Sequence, residues 1–157
     1  MSVINKRIAD IFDEIADLLE IEADNPFRIR AYRNGARFLR GLGRDVSEMV
    51  ERGDDLTKLP NIGRDLDAKI REIINTDRCE TLEKLHGQIP AILRELLRVP
   101  GLGVKRAQNL FLELKITSLD DLRQAAEQHK IRDLPGLGAA FEQKILETLT
   151  GSKQNSS

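Results

Sequence analysis

The chain has 157 residues, enough for one domain or two small ones with real apolar cores. At 40% apolar and 32% charged, with five Phe, one Tyr and no Trp, it reads as a helix-rich globular protein with no run of aromatics to serve as a base-stacking platform. A net charge of −1 counts against a tight non-specific coat over a polyanion, so any grip on nucleic acid must come from a local positive patch.

From the start of the chain, Ile4, Ile8, Ile11, Phe12, Ile15, Leu18 and Leu19 recur at helical spacing and predict an amphipathic helix over Val3 to Ile21. Its other face is acidic (Asp10, Asp13, Glu14, Asp17, Glu20) and is expected to be solvated and turned away from any DNA. These charges, and the lack of an apolar run of membrane length, indicate neither export nor membrane insertion. Asn25-Pro26 is a helix start, with Asn as cap and Pro in the first turn. The helix that follows, to about Arg40, carries Arg30, Arg33, Arg37 and Arg40 as one stripe. That stripe reads either as a solvated face balancing the acidic first helix or as a nucleic-acid contact. Arg28 lies off it beside Tyr32, where a guanidinium among apolar neighbours calls for an anion.

Asp45 to Glu51 predicts a short helix ended by Gly53. Leu59-Pro60-Asn61-Ile62-Gly63 then introduces a helix over Arg64 to Ile74, with a break at Asn75-Thr76-Asp77. The single cysteine, Cys79, has no internal disulfide partner and suggests a reducing cytoplasm. Helical stretches from about Thr81 and Pro90 lead to Val99-Pro100-Gly101-Leu102-Gly103 and a helix over Val104 to Leu114. Ser118-Leu119-Asp120-Asp121 opens another helix, ending near His129, before Leu134-Pro135-Gly136-Leu137-Gly138 and a helix over Ala139 to Leu149. Residues 151–157 are expected to be a disordered tail. No segment alternates with period two, so the chain is all-α, in two small helical subdomains, 1–77 and 78–150.

The apolar-Pro-Gly-apolar-Gly turn occurs three times, with Asn61 standing for the first glycine in the first copy. Proline presets one backbone angle, the following residue takes positive φ, and the apolar residue between anchors the turn. After the second glycine a helix starts with unpaired N–H groups, which suits a phosphate. This makes three helix-hairpin-helix motifs. In the second, Gly101, Gly103 and Val104 are followed by Lys105, Arg106 and the small Ala107. In the first, Asn61, Gly63 and Arg64 are the candidates, with Lys58 next to the turn and Asp67 where a small residue is expected. Gly136 and Gly138 complete the set of turn positions expected to approach DNA, although Ala139, Ala140, Phe141 and Glu142 make the third motif mainly structural. The hairpin carbonyls are also candidates for a Na+ or K+ ion, through Thr57, Leu59 and Ile62 and through Leu97, Val99 and Leu102. No other cofactor is called for. His86 and His129 read as surface residues, with no transition-metal site.

From about Asn5 to Leu149 the chain resembles the N-terminal part of a family X DNA polymerase, especially the bacterial type. The resemblance rests on Asn25-Pro26-Phe27-Arg28-Ile29-Arg30-Ala31-Tyr32-Arg33, Leu56-Thr57-Lys58-Leu59-Pro60-Asn61-Ile62-Gly63, Leu97-Arg98-Val99-Pro100-Gly101-Leu102-Gly103 and Ser118-Leu119-Asp120-Asp121-Leu122. It implies a lyase-type domain over residues 1–77 that recognises a 5′-phosphate, and a second helical domain whose hairpin holds the other side of a gap. It places Arg28, Tyr32 and Arg33 near that phosphate and Lys69 at the position of a Schiff-base lysine. Asp65 departs from the lyase-active pattern, which has Lys there, and lies within reach of Lys69 for an ion pair that opposes nucleophilicity. The family's palm and phosphoesterase domains have no counterpart in this sequence, so polymerisation is not expected.

The reading is therefore a non-sequence-specific DNA-binding module for gapped, nicked or recessed, 5′-phosphorylated DNA, related to repair. It is cytoplasmic and nucleoid-associated when bound, and has no membrane partner. Two alternatives stand beside it: a 5′-deoxyribose-phosphate or AP lyase acting through Lys69, and a protein-interaction module whose hairpins are plain connectors and whose acidic first helix contacts a DNA-repair protein.

Overall fold

A computed structural model describes residues 2–155, with side chains described to residue 151. It is all-α as expected: α1 (Val3–Ile21), α2 (Pro26–Gly41), α3 (Val46–Glu51), a 3-10 turn (Leu56–Lys58), α4 (Arg64–Thr76), α5 (Glu80–Gln88), α6 (Ala91–Leu97), α7 (Val104–Leu114), α8 (Leu119–Glu127) and α9 (Gly138–Asn155). Among the described residues there is no strand. α9 continues past Gly151 to Asn155, inside the stretch expected to be a disordered tail; no proline there removes a helical N–H. Ser156 and Ser157, the end of that stretch, lie outside the described residues.

The chain divides into two compact units, Met1–Gln88 and Ile89–Ser157. The division falls later than the sequence break at Asp77 suggests. Asp77 is a left-handed helix cap (φ 60°) that turns the chain back, so that α5 packs on α1 within the first unit. Leu85 and Cys79 are buried there, and His86 Nε2 lies 2.6 Å from Glu14 Oε2.

In the first unit, Ile8, Phe12, Ile15 and Leu19 of α1 pack with Tyr32, Ala36 and Leu39 of α2 and Ile70 and Ile73 of α4, all fully buried or nearly so. The caps follow the sequence: Asn25 accepts from the Phe27 N–H with Pro26 in the first turn, and Asp45 accepts from Ser47. Buried Asn5 uses both ends of its side-chain amide, donating to the Arg44 carbonyl and accepting from the Val46 N–H. At Gly35, α2 comes so close to α4 that a Cβ would stand 2.6 Å from Leu66 Cδ1.

The acidic face of α1 is not simply solvated. Arg33 donates to Asp17 at 3.0 Å, and Arg40 bridges Asp10 and Asp13. Two members of the arginine stripe therefore face α1, which is the charge-balancing reading of that stripe. Arg37 and Arg30 are exposed, and the Arg30 guanidinium lies 5.4 Å from the centroid of the Phe27 ring.

The second unit is built on Leu96 of α6, Ala107 and Leu110 of α7, Leu122 and Ala126 of α8, Ile131, and Ile145 of α9, all buried.

Candidate nucleic-acid interface

The three glycine-bearing turns share a start and differ at the finish. In each, the apolar residue between the two turn positions donates its N–H to the carbonyl three residues back: Ile62 to Leu59, Leu102 to Val99 and Leu137 to Leu134. Ile62 and Leu102 are buried and pin their turns to the core, whereas Leu137 is only half-buried. The preceding position has positive φ in every copy, 66° at Asn61, 86° at Gly101 and 79° at Gly136.

The next glycine separates the third turn from the others. Gly63 (φ −89°, ψ −175°) and Gly103 (φ −82°, ψ 178°) are extended and stand as the N-caps of α4 and α7. Gly138 has φ 84° and already belongs to α9. Neither α4 nor α7 has a side-chain cap, and the first internal bonds of the two helices run from Asp67 to the Gly63 carbonyl and from Ala107 to the Gly103 carbonyl. The amides ahead of them are left to an outside acceptor, in the manner of an anion site. A Cβ on Gly63 or Gly103 would meet nothing within 4 Å, so both turns face open space.

Side chains around the turns follow the same division. Lys58 and Arg64 at the first and Lys105 at the second are exposed. None of them forms a salt bridge among the described residues, although the Lys58 charge reaches the Asp55 carboxylate. Val104 is buried, so only its amide is available. Arg106 is exposed too, but its guanidinium is engaged within the protein: it donates to the Gly101 carbonyl at 3.1 Å and lies 4.5 Å from the centroid of the Phe141 ring on α9. Four residues after the last glycine, Asp67 accepts from Arg71, Ala107 is fully buried, and Glu142 is buried as a carboxylate. Glu142 accepts from the Arg132 N–H at 2.8 Å and Nε at 2.9 Å, and lies 2.9 Å from His129 Nδ1. Burial alone would raise its pKa, but these partners outweigh burial and hold it at about 2. This ion cluster ties the segment before the third turn to α9. The carbonyls of Leu59 and Val99 each accept one turn N–H, which leaves each a lone pair toward a cation.

A second group lies on α2 and α4. The Tyr32 ring is buried edge-on to Phe12 at 5.6 Å, and its hydroxyl lies outside close hydrogen-bond geometry with any described residue, although the Lys69 ammonium is near enough to act on it. Lys69 Nζ sits 5.9 Å from the Tyr32 ring centroid and 2.7 Å from Asp65 Oδ1. Burial pulls the Lys69 pKa down, yet the Asp65 hydrogen bond and the neighbouring Tyr32 overcome it, and the net shift is upward. Arg28 is exposed and only loosely held by Asp24 at 3.4 Å, close enough for its charge to act on the Tyr32 phenol. The structure thus brings Tyr32, Lys69 and Arg28 into one neighbourhood and commits Arg33 to α1.

These turns have a family. The profile described as a SAM-like helix-hairpin-helix tandem matches residues 53–115 and 93–150, and that of a helix-hairpin-helix domain matches residues 3–79. The chain belongs to the helix-hairpin-helix family. It is also similar to the DNA polymerase/3′-5′ exonuclease PolX of Bacillus subtilis (strain 168), with 38% identity over 144 residues. That match covers 92% of this chain and 25% of the relative, so the chain spans a quarter of that protein's length. The family X resemblance seen in the motifs is borne out.

Within this helix-hairpin-helix chain, three features had no legible signal. Phe27 is 74% exposed although aromatic, Arg106 donates to the carbonyl of its own turn, and Glu142 is buried. His86 and His129, which read as surface residues, each have a carboxylate partner, Glu14 and Glu142. Among the described residues no His, Cys, Asp and Glu cluster could hold a metal ion.

Proposed function

We propose that this helix-hairpin-helix chain holds the sugar-phosphate backbone of DNA without reading sequence, at gaps, nicks or recessed ends bearing a 5′-phosphate. The observation that carries this reading is the pair of uncapped helix starts behind Gly63 and Gly103, each in an outward-facing turn with exposed cations beside it. Gly63, Arg64 and Lys58, with the backbone at Asn61, take one phosphate stretch. Gly101, Gly103, the Val104 amide and Lys105 take another. Gly136 and Gly138 are left to structure, because their turn lacks an extended cap glycine.

The 5′-phosphate falls to Arg28 and Tyr32. A buried phenol whose near polar neighbour, the Lys69 ammonium, is itself a donor leaves its O–H for an incoming acceptor, and an exposed, weakly paired guanidinium beside it supplies the charge. Lys69 is read as a fixed ammonium that adds positive charge to this neighbourhood, since Asp65 holds it protonated. A Na+ or K+ ion on the remaining lone pairs of the hairpin carbonyls would bridge to the same phosphates.

The test is a titration of fluorescent gapped duplex, with and without its 5′-phosphate, over a series of salt concentrations. The reading requires tighter binding of the phosphorylated gap than of intact duplex, with affinity falling as salt rises. Equal affinity with and without the phosphate removes the Arg28 and Tyr32 pocket, and no binding at low salt removes the reading altogether.

A further inference from the structure

We infer that Arg106 is a positioning residue for the second hairpin and not one of its phosphate ligands, with α9 acting through Phe141 as the buttress that fixes the turn. The inference rests on the proposed DNA-backbone function for its meaning, but its geometry lies wholly within the second unit. By type and place, a cation in the first turn of α7 looks like a phosphate contact. Its guanidinium instead reaches back to the Gly101 carbonyl at 3.1 Å, at the residue whose φ of 86° makes the bend. The same cation lies over the Phe141 ring, 4.5 Å from its centroid, attracted by the negative face of the ring.

Phe141 is in turn fixed from the far side. The next residue, Glu142, is buried and bonded to the Arg132 N–H and guanidinium, so this part of α9 is anchored to the segment before the third turn. The third hairpin, whose last glycine has positive φ and whose following residues carry no cation before Lys144, thereby acquires a task. It holds Phe141 in place, Phe141 holds Arg106, and Arg106 holds the carbonyl of the turn that presents the α7 amides.

The experiment uses the full chain and the 5′-phosphorylated gapped duplex. Arg106→Lys keeps the charge but loses the planar fork, so a phosphate contact made as a point charge survives it and a strut between a carbonyl and a ring does not. Expected are losses of affinity of about three- to tenfold in Arg106→Lys, Arg106→Ala and Phe141→Leu. The salt slope should match the wild type in all three, and the double variant should be no weaker than either single one. Lys105→Ala serves as the reference phosphate contact and should lower the slope by about one. A lowered slope in Arg106→Ala, with Arg106→Lys and Phe141→Leu binding as the wild type does, overturns the inference.

Hydrogen exchange supplies a readout without DNA. The Leu102 amide, bonded to the Val99 carbonyl at 3.0 Å, should exchange faster in all three variants. Unchanged exchange overturns the positioning role. If the wild type binds no gapped duplex, the DNA reading falls, and the exchange rates still decide the role of Arg106.

Discussion

Lys69 Nζ lies 2.7 Å from Asp65 Oδ1, one helical turn back along α4, with the lysine side chain 13% exposed and the aspartate 66%. The amine is thus half withdrawn from water and tied to a carboxylate that is not. Withdrawal alone would favour the neutral amine that a Schiff base needs, and the carboxylate cancels it. The wild-type chain should therefore give no adduct with an abasic DNA substrate under borohydride. Asp65→Asn removes the opposing charge and leaves the burial, so any trapped adduct should appear in that variant and vanish in Asp65→Asn combined with Lys69→Ala. A strong wild-type adduct lost on Lys69→Ala would restore the lyase reading.

The sign of the Lys69 linkage follows from its raised pKa. Its contribution to stability is complete below the unfolded lysine value of about 10.4 and fades as pH climbs through the higher folded value. Comparing urea unfolding of the wild type with Lys69→Met should show the difference flat from neutral pH to about 10 and shrinking above it.

Glu142 behaves oppositely. Its folded pKa of about 2 lies below the unfolded value, so its contribution is present above about 4.3 and disappears as pH falls toward the folded value. Arg132→Ala leaves a buried carboxylate short of its main partner and should cost roughly 2 kcal/mol at pH 7. Unfolding midpoints of Arg132→Ala and wild type should converge as pH drops below about 4.

Gly101 and Asn61 occupy the same place in two turns, with φ of 86° and 66°. A Cβ on Gly101 would meet nothing within 4 Å, so the cost of a side chain there is backbone strain alone. Gly101→Ala should cost about 1 kcal/mol, while Gly101→Asn should cost only a few tenths, because Asn tolerates this conformation. Thermal unfolding of the two variants makes the comparison. Equal losses would mean that the strain does not reside in that torsion.

Much of this was legible in the chain. The helices show as apolar periodicity, and Asn25-Pro26 and Ser118 mark helix starts because their side chains accept the first free N–H groups. The three turns show through proline and glycine, whose torsional limits hold in any context. What stayed hidden depends on direction and on distance along the chain. Arg106 and Lys105 are neighbouring exposed cations in one helical turn, and only the position of Phe141 gives the first a partner within the protein. Glu142 looks like a surface residue until Arg132 and His129 fold over it. Cys79 and Leu85 carry no mark that they pack on α1, so the break at Asp77 reads as the edge of a unit when it is a turn inside one.

The same distinction between free and engaged cations separates arginines that look equivalent in sequence. Arg33 is drawn onto Asp17 and Arg40 onto Asp10 and Asp13, whereas Arg64 stands exposed beside the open turn at Gly63. A cation that stays paired with a carboxylate neutralises no phosphate and so displaces no condensed counterion from the DNA. Arg64→Ala and Lys58→Ala should each lower the salt slope of binding to gapped duplex by about one, with a loss of affinity at low salt. Arg33→Ala and Arg40→Ala should leave the slope unchanged and instead lower the stability of the first unit by about 0.5 kcal/mol, since the pairs they break are half exposed. A slope that falls for Arg33→Ala as much as for Arg64→Ala would mean that α2 opens from α1 to bind, and that the ion pairs seen here are exchanged for phosphates.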